Sequence, residues 1–209
     1  MMVKDRTRCV NRIHNQLHQN GIQAEREVLL RDKGREWLQA TVWPQLSCEQ
    51  ASLVSGHLEL IDWFTWKVKE LDKRIEEEAG KDRAASLLRS IPGVGPYRSL
   101  LFATELRPIR RFQSPAHLVS YAGLAPTVKQ SGSGHPRHGP IPRGANRWVR
   151  GALVSTIPTH VQHAPDSCVT QYYLALKERV GWPTARVAAA RKLCRVMYAM
   201  LSEEEPWRG

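Results

Sequence analysis

The chain has 209 residues, and its 31 Lys and Arg against 20 Asp and Glu give a formal net charge of +11. Hydrophobic residues make up 42% and charged residues 24%, which is ordinary for a globular protein and excludes wholesale disorder and a fibrous structure. The length allows one domain or two small ones, and the positive surplus indicates an anionic partner.

Two predicted helices, over residues 3–20 and 24–40, are separated by Asn20-Gly21, a sequence that stops helices. A longer helix is predicted from Cys48 to Ala79. Apolar residues recur along it at spacings of 3, 4, 3 and 4, namely Ile61, Phe64, Val68, Leu71 and Ile75. Such a short seam fits either a coiled coil with a second chain or a core helix of a bundle.

The positive charge is confined to the second part of the chain. Residues 1–85 hold 14 basic and 14 acidic side chains, so they contribute nothing to the excess. No Asp or Glu lies between Leu106 and Pro165, whereas eight Lys and Arg lie between Arg107 and Arg150. This pattern predicts a surface that follows phosphates. The alternative is a solvated basic face, although such faces normally mix both signs.

Residues 84–106 predict a helix, a tight turn and a second helix. The turn, Ile-Pro-Gly-Val-Gly at 91–95, matches the helix-hairpin-helix pattern. In that pattern the glycines let backbone N–H groups approach a phosphate at the start of the second helix. The alternative is a plain helical turn. A further helix is predicted to begin after Ser114, with Pro115 in its first turn.

An unusual loop follows over residues 125–143. It holds three Gly, four Pro, two His, three Lys or Arg and two Ser, but no acid. A loop of this length is either functional or disordered, and both interpretations stay open. A hydroxyl of Ser131 or Ser133 would lie among cations that can stabilise a phosphoryl transition state. Serine beside glycine is equally common loop composition.

The last predicted helices cover residues 145–162 and 183–202.

The acids of the basic part are isolated, so we expect no metal site from this chain alone. The cysteines have no C-x-x-C spacing and no His at zinc-ligand offsets, which predicts free thiols in a reducing cytoplasm: Cys9, Cys48, Cys168 and Cys194. No window has the roughly 18 apolar residues of a membrane span, and the N-terminus lacks a signal peptide's apolar core. We therefore expect a soluble protein with no membrane partner.

Five stretches of the chain follow the order and spacing of a known family, namely residues 91–95, 118–126, 130–132, 139–150 and 188–201. They resemble the C-terminal domain of the IS-one-ten (IS110) family of insertion-sequence transposases, the RNA-guided bridge recombinases. The resemblance covers about residues 84–208. The helices before it look like the linker and coiled coil that precede this domain in the family.

The predicted fold is mainly α. The resemblance implies a helical linker over residues 1–83, with a coiled coil at about 48–79. A small helical transposase C-terminal domain, which contains the helix-hairpin-helix, would follow over residues 84–209. In the family, this domain belongs to a protein of the bacterial or archaeal cytoplasm, associated with the nucleoid.

The implied activity is the movement of a mobile element by breaking and rejoining DNA at sites chosen by a structured guide RNA. The family's serine nucleophile matches Ser131, with Ser133 in reserve. Residues expected to contact nucleic acid are Gly93, Gly95, Arg98, Lys129, Arg137, Arg143, Asn146, Arg147 and Arg150. The implied partners are the DNA of the element ends and the target, the guide RNA, and a homo-oligomer or an assembly with a full-length transposase.

The chain departs from the family pattern in three respects. Pro142 stands where Ser or Thr is usual, and Ala145 where Gly is usual. The family also places a RuvC-like nuclease fold with four metal-binding acids before the linker, and no residues here match those acids. We therefore expect a truncated transposase that does not recombine DNA alone, with Mg²⁺ present only when the missing acidic domain is supplied.

Two hypotheses remain. In the first, Ser131 attacks a DNA phosphodiester when a complete partner supplies the metal-bound carboxylates. In the second, the chain is a binding module without catalysis that grips DNA or RNA, or inhibits a full-length relative. A base-excision glycosylase also uses a helix-hairpin-helix, but it needs an Asp soon after the hairpin, and residues 91–165 contain none.

Overall fold

The computed structural model describes residues 1–25, 28–125, 128–129, 137–138 and 144–209. These residues form two compact units, Met1–Arg74 and Ile75–Gly209. The predicted mainly α fold is confirmed. The α-helices of the described residues are α1 (Met2–Gln19), α2 (Asp32–Trp37), α3 (Cys48–Lys81), α4 (Arg83–Arg89), α5 (Pro96–Leu106), α6 (Pro115–Tyr121), α7 (Arg147–His163), α8 (Cys168–Val180) and α9 (Trp182–Glu203).

Short elements complete the description. Two strands, β1 (Val128–Lys129) and β2 (Arg137–His138), pair antiparallel, with Val128 opposite His138 and Lys129 opposite Arg137. The 3₁₀ segments are Val28–Leu30, Trp43–Gln45 and Ile109–Arg111, and a π-helical segment spans Leu38–Val42.

The first unit is built on one face of α1 and the first part of α3. Apolar residues at helical spacing on both helices are buried together, namely Cys9, Val10, Ile13, Leu17, Val54, Leu58 and Ile61. The helix predicted over residues 24–40 is wrong in its extent. Residues 24 and 25 are non-helical, and α2 begins only at Asp32, where an acid suits the positive end of a helix.

The predicted apolar seam of α3 is buried at one end only. Ile61 is 1% exposed and lies in the core of the first unit, and Phe64 packs against that core. Val68, Leu71 and Ile75 are half-buried. Pairing of this seam with a second chain stays a prediction, because burial of Ile61 is equally the property of a bundle helix.

The second unit is organised around α9, which packs against α4, α6, α7 and α8. Its buried residues recur on one stripe and include three alanines, which allow neighbouring helices to approach closely: Ala185, Ala189, Ala190, Leu193, Cys194, Met197 and Met200. Phe102 of α5, Leu118 of α6 and Leu153 of α7 fill the same core. This core supports the turn between α4 and α5.

That turn lies directly against the backbone of α7. Gly93 has φ +87°, and a Cβ atom built on it would lie 2.8 Å from the backbone nitrogen of His160 and 3.1 Å from the carbonyl carbon of Thr159. Both the left-handed backbone and the close approach require glycine. Gly93 is thus a packing residue at the contact with α7.

A buried histidine fixes the turn from the other side. His160 is 0% exposed. Its Nδ1 lies 2.8 Å from the Pro92 carbonyl oxygen, and its Nε2 lies 2.8 Å from Ser167 Oγ. A carbonyl can only accept, so Nδ1 carries the proton and donates to the Pro92 carbonyl. Burial lowers the pKa of His160 below its usual 6.5.

We expect Gly93→Ala to lower the free energy of unfolding by about 2–5 kcal/mol, because it adds left-handed backbone strain and overpacks the contact with α7. Chemical denaturation monitored by circular dichroism measures this. Gly95→Ala is the matched control, since Gly95 has φ −84° and nothing within 4 Å of a built Cβ. Equal stability of the two variants would contradict the packing role of Gly93.

We expect His160 to make the protein less stable as the pH falls through 6.5. The unfolded state then binds a proton that the folded state resists, so this contribution is complete above pH 6.5 and declines below it. His160→Gln should reduce the dependence of the free energy of unfolding on pH below 6.5. His163→Gln, at an exposed position on the same helix, should not. An imidazole titration of His160 by NMR with a midpoint above 6.5 would refute the burial argument.

Candidate nucleic-acid interface

The start of α5 is open to solvent. Gly95 is its N-cap, with extended backbone and no side-chain cap hydrogen bond, and Pro96 follows in the first turn. The first N–H groups of a helix have no carbonyl one turn earlier, so they are available to a ligand when no side chain caps them. Gly95 is exposed and its Cβ position is empty. An anion can therefore approach the positive end of α5 closely.

The other two predicted residues of this turn act within the fold. Gly93 packs on α7, as described above. Arg98 donates from Nη1 to the Gly93 carbonyl at 2.9 Å and from Nη2 to the Ser155 carbonyl at 3.4 Å, which links the turn to α7. The sequence pattern did not distinguish these roles. Contact of Gly93, Gly95 and Arg98 with nucleic acid stays a prediction.

Asn146 is the N-cap of α7 and its side chain is fully used. Its Oδ1 accepts hydrogen bonds from the N–H groups of Trp148 and Val149 at 3.0 and 3.1 Å. Its Nδ2 donates to Glu105 Oε2 at 2.6 Å and to the Tyr121 hydroxyl at 3.1 Å. Two acceptor and two donor contacts complete the capacity of an amide. Asn146 therefore has a structural role, and its contact with nucleic acid stays a prediction.

Glu105 joins residues on both sides of the 126–143 segment. Its Oε2 accepts the hydroxyl of Tyr121, before that segment, at 3.0 Å and the amide of Asn146, after it. The backbone N–H of Asn146 also donates to the Tyr121 carbonyl at 2.9 Å. In the sequence, Glu105 is an isolated acid with no predicted role. The one sequence feature that points to this role is its position as the last carboxylate before the acid-free stretch.

Arginines reinforce the same region. The Arg111 guanidinium lies over the rings of Phe112 and Tyr121, at 4.6 and 4.8 Å from the centroids. Arg191 donates from Nε and Nη2 to the Leu124 carbonyl at 2.9 and 2.6 Å. These contacts hold α6 and its C-terminal end in place by charge-assisted hydrogen bonds and cation–π attraction.

The first turns of α7 present cations to solvent. Arg147 is exposed and Arg150 is half-buried. Both lie in the stretch between Leu106 and Pro165 that contains no acid. The structure thus brings Arg147 and Arg150 together on one helix, as the sequence predicted, and their contact with nucleic acid stays a prediction.

Several predicted residues cannot be placed. Ser131, Ser133 and Arg143 lie outside the described residues. Lys129 and Arg137 face each other in the backbone register of β1 and β2, and their side chains lie outside the described part of the chain. Within the described ranges, no group of three or more His, Cys, Asp or Glu could hold a metal ion. No helix in that part of the chain is long and apolar enough to cross a membrane.

Known proteins resemble this chain over about half of its length or more. An uncharacterized 43.6 kDa protein of insertion element IS110 from Streptomyces coelicolor is 35% identical over 119 residues, which are 56% of this chain and 28% of that protein. A pilin gene-inverting protein of Moraxella bovis is 30% identical over 125 residues, 59% of this chain and 38% of that protein.

A third relative matches nearly the whole chain. The transposase for insertion sequence element IS1111A of Coxiella burnetii is 26% identical over 217 aligned residues, which cover 99% of this chain and 57% of that protein. The chain thus spans less than two thirds of the length of each of these relatives.

The sequence model described as "Transposase IS116/IS110/IS902 family" matches residues 85–174. These residues include the α4–α5 turn, Glu105, Tyr121 and Asn146. The match confirms the resemblance found in the sequence. Residues 85–174 are therefore similar to the transposase domain of the IS116/IS110/IS902 family.

Proposed function

We propose that this chain binds DNA and takes part in DNA transposition, with the Ser131 hydroxyl as the nucleophile that attacks a phosphodiester. The observation that carries the proposal is the acid-free stretch from Arg107 to Ala164, which lies within the matched transposase domain. Phosphate binding dominates the affinity of proteins for DNA, and a surface without carboxylates meets no repulsion there. The open start of α5 adds a place for one phosphate.

The α4–α5 pair serves in this proposal as a helix-hairpin-helix. Its phosphate ligands are the N–H groups in the first turn of α5, next to the exposed N-cap Gly95. The contacts of the turn with Thr159, His160 and Ser155 set its orientation before DNA binds. A preformed site spends no binding free energy on ordering the backbone.

The proposed chemistry is covalent. The Ser131 Oγ forms a bond to phosphorus, one bridging P–O bond of the DNA breaks, and the hydroxyl proton passes to a base while the freed deoxyribose oxygen leaves. Attack by a deoxyribose oxygen of another strand reverses these changes and releases the serine. The described residues provide no ligand set for Mg²⁺, so the proposal places that ion on the carboxylates of a full-length transposase assembled with this chain.

A structured guide RNA and a second copy or full-length relative are the further partners of this proposal. The pilin gene-inverting protein, one of the relatives, is named for inverting a gene, which supports action on DNA. The half-buried residues Val68 and Leu71 of α3 are the proposed coiled-coil contacts of the assembly.

We expect duplex DNA affinity to fall with salt, with log K decreasing against log salt by roughly 0.9 per phosphate contacted. Arg147→Ala should weaken binding and reduce that slope by about 1. Gly95→Ala should weaken binding because its methyl group occupies the path of the phosphate. Arg8→Ala, an exposed arginine within residues 1–85, where basic and acidic side chains balance, is the control. Fluorescence anisotropy at several salt concentrations measures all four proteins, and a flat salt response would contradict DNA binding.

We expect Ser131→Ala to abolish a covalent protein–DNA adduct that the unchanged chain and Ser133→Ala both form. The substrate is a nicked suicide duplex incubated with a full-length relative, its cognate RNA and Mg²⁺, and adducts of labelled chain are resolved by denaturing electrophoresis. Loss of the adduct in Ser133→Ala alone would move the nucleophile to Ser133. No adduct from the unchanged chain would refute catalysis and leave the non-catalytic binding module or inhibitor.

A further inference from the structure

An indole stands exposed near the start of α7. The Trp148 side chain is 72% exposed, against 55% for Tyr97 and 54% for Trp182. Among the described residues no ring or cation lies on this indole, whereas the Arg186 guanidinium covers Trp182 at 4.8 Å from its centroid. A large aromatic side chain stabilises a fold chiefly through burial. Folding alone therefore does not account for Trp148.

The backbone of Trp148 is held in place. Its N–H group donates to Asn146 Oδ1 at 3.0 Å, and the N–H of Val149 donates to the same oxygen at 3.1 Å. Val149 is 0% exposed and anchors this turn in the core. The indole is thus attached to an ordered helix end, which lowers the entropy cost of binding a ligand.

The helix face next to Trp148 carries only small side chains. Residues 148, 151 and 155 are three and four apart and share one face of α7. Gly151 has nothing within 4 Å of a built Cβ, and the Ser155 hydroxyl turns back to the Ala152 carbonyl at 3.0 Å. The face from Trp148 to Ser155 is about 10 Å long. That length matches the rise of roughly three stacked nucleotides.

The charge around this face has one sign. All 17 residues of α7 are free of Asp and Glu, and Arg147 is exposed beside Trp148. At its far end the face reaches Arg98, which donates to the Ser155 carbonyl near the start of α5. A strand laid along α7 would therefore meet cations, an exposed indole and small side chains.

We propose that this face of α7 binds a DNA strand at an unpaired base, with the Trp148 indole stacked on that base and Arg147 at a neighbouring phosphate. A base inside a duplex is covered on both sides, whereas an unpaired base has a free face for an aromatic side chain. The inference rests on the proposed DNA binding and names the substrate class: DNA with a single-stranded, bulged or frayed nucleotide.

The test compares the full chain with Trp148→Ala, Trp148→Phe and the matched control Trp182→Ala. Fluorescence anisotropy measures binding to a 15-nucleotide single strand, the same sequence as a duplex, and a duplex with one bulged base. Trp148→Ala should lower the affinity for single-stranded and bulged DNA by about 5- to 100-fold. Its duplex affinity should be unchanged, Trp148→Phe should restore most of the loss, and Trp182→Ala should match the unchanged chain.

Three results would overturn the inference. Equal losses on duplex and single-stranded DNA would make Trp148 a general contact. A loss confined to single-stranded RNA of the same sequence would assign the face to RNA. A change in oligomeric state by light scattering with unchanged single-strand affinity would make it a protein contact. If the unchanged chain binds no DNA at all, the proposed function fails as well, which the duplex measurement separates from failure of stacking alone.

Discussion

The turn between α4 and α5 can lie on α7 only because residue 93 has no side chain. Gly93 approaches the backbone at His160, and the imidazole of that residue donates to the carbonyl next to it, so one short stretch of α7 fixes both the path and the hydrogen bonding of the turn. The direction in which α5 leaves the turn follows from this contact. So does the place where its uncapped N–H groups meet solvent.

A second constraint links the other end of α5 to the start of α7. Glu105 accepts from Tyr121 and Asn146, and Asn146 in turn caps α7, so a single carboxylate ties three helices together. Both hydrogen bonds end on its Oε2 oxygen, and the residue is half-buried. This carboxylate is therefore held within the fold, while Arg147 is exposed at the start of α7.

The sequence predicted helices where amphipathic periodicity and end signals agree. Asn146 and Arg147 illustrate this, since α7 begins there, within two residues of its predicted start. The sequence did not predict α8, because few of its residues are buried. Its start also depends on a local contact, in which the Ser167 hydroxyl oxygen accepts from the Thr170 N–H. The sequence pattern also assigned Gly93 and Gly95 one role, because only the position of α7 separates a glycine that packs from a glycine that leaves space. A lone His160 on an apolar helix carried no sign of its partner 68 residues away.

The central position of α9 has a consequence for how the second unit opens. Four helices rest on its stripe of alanines and larger apolar residues, so none of them has a core of its own. Partial unfolding that releases α9 exposes the faces of all four together, which makes the unit cooperative. Amide hydrogens on the buried stripe should then exchange with solvent through the same global opening, rather than one helix at a time.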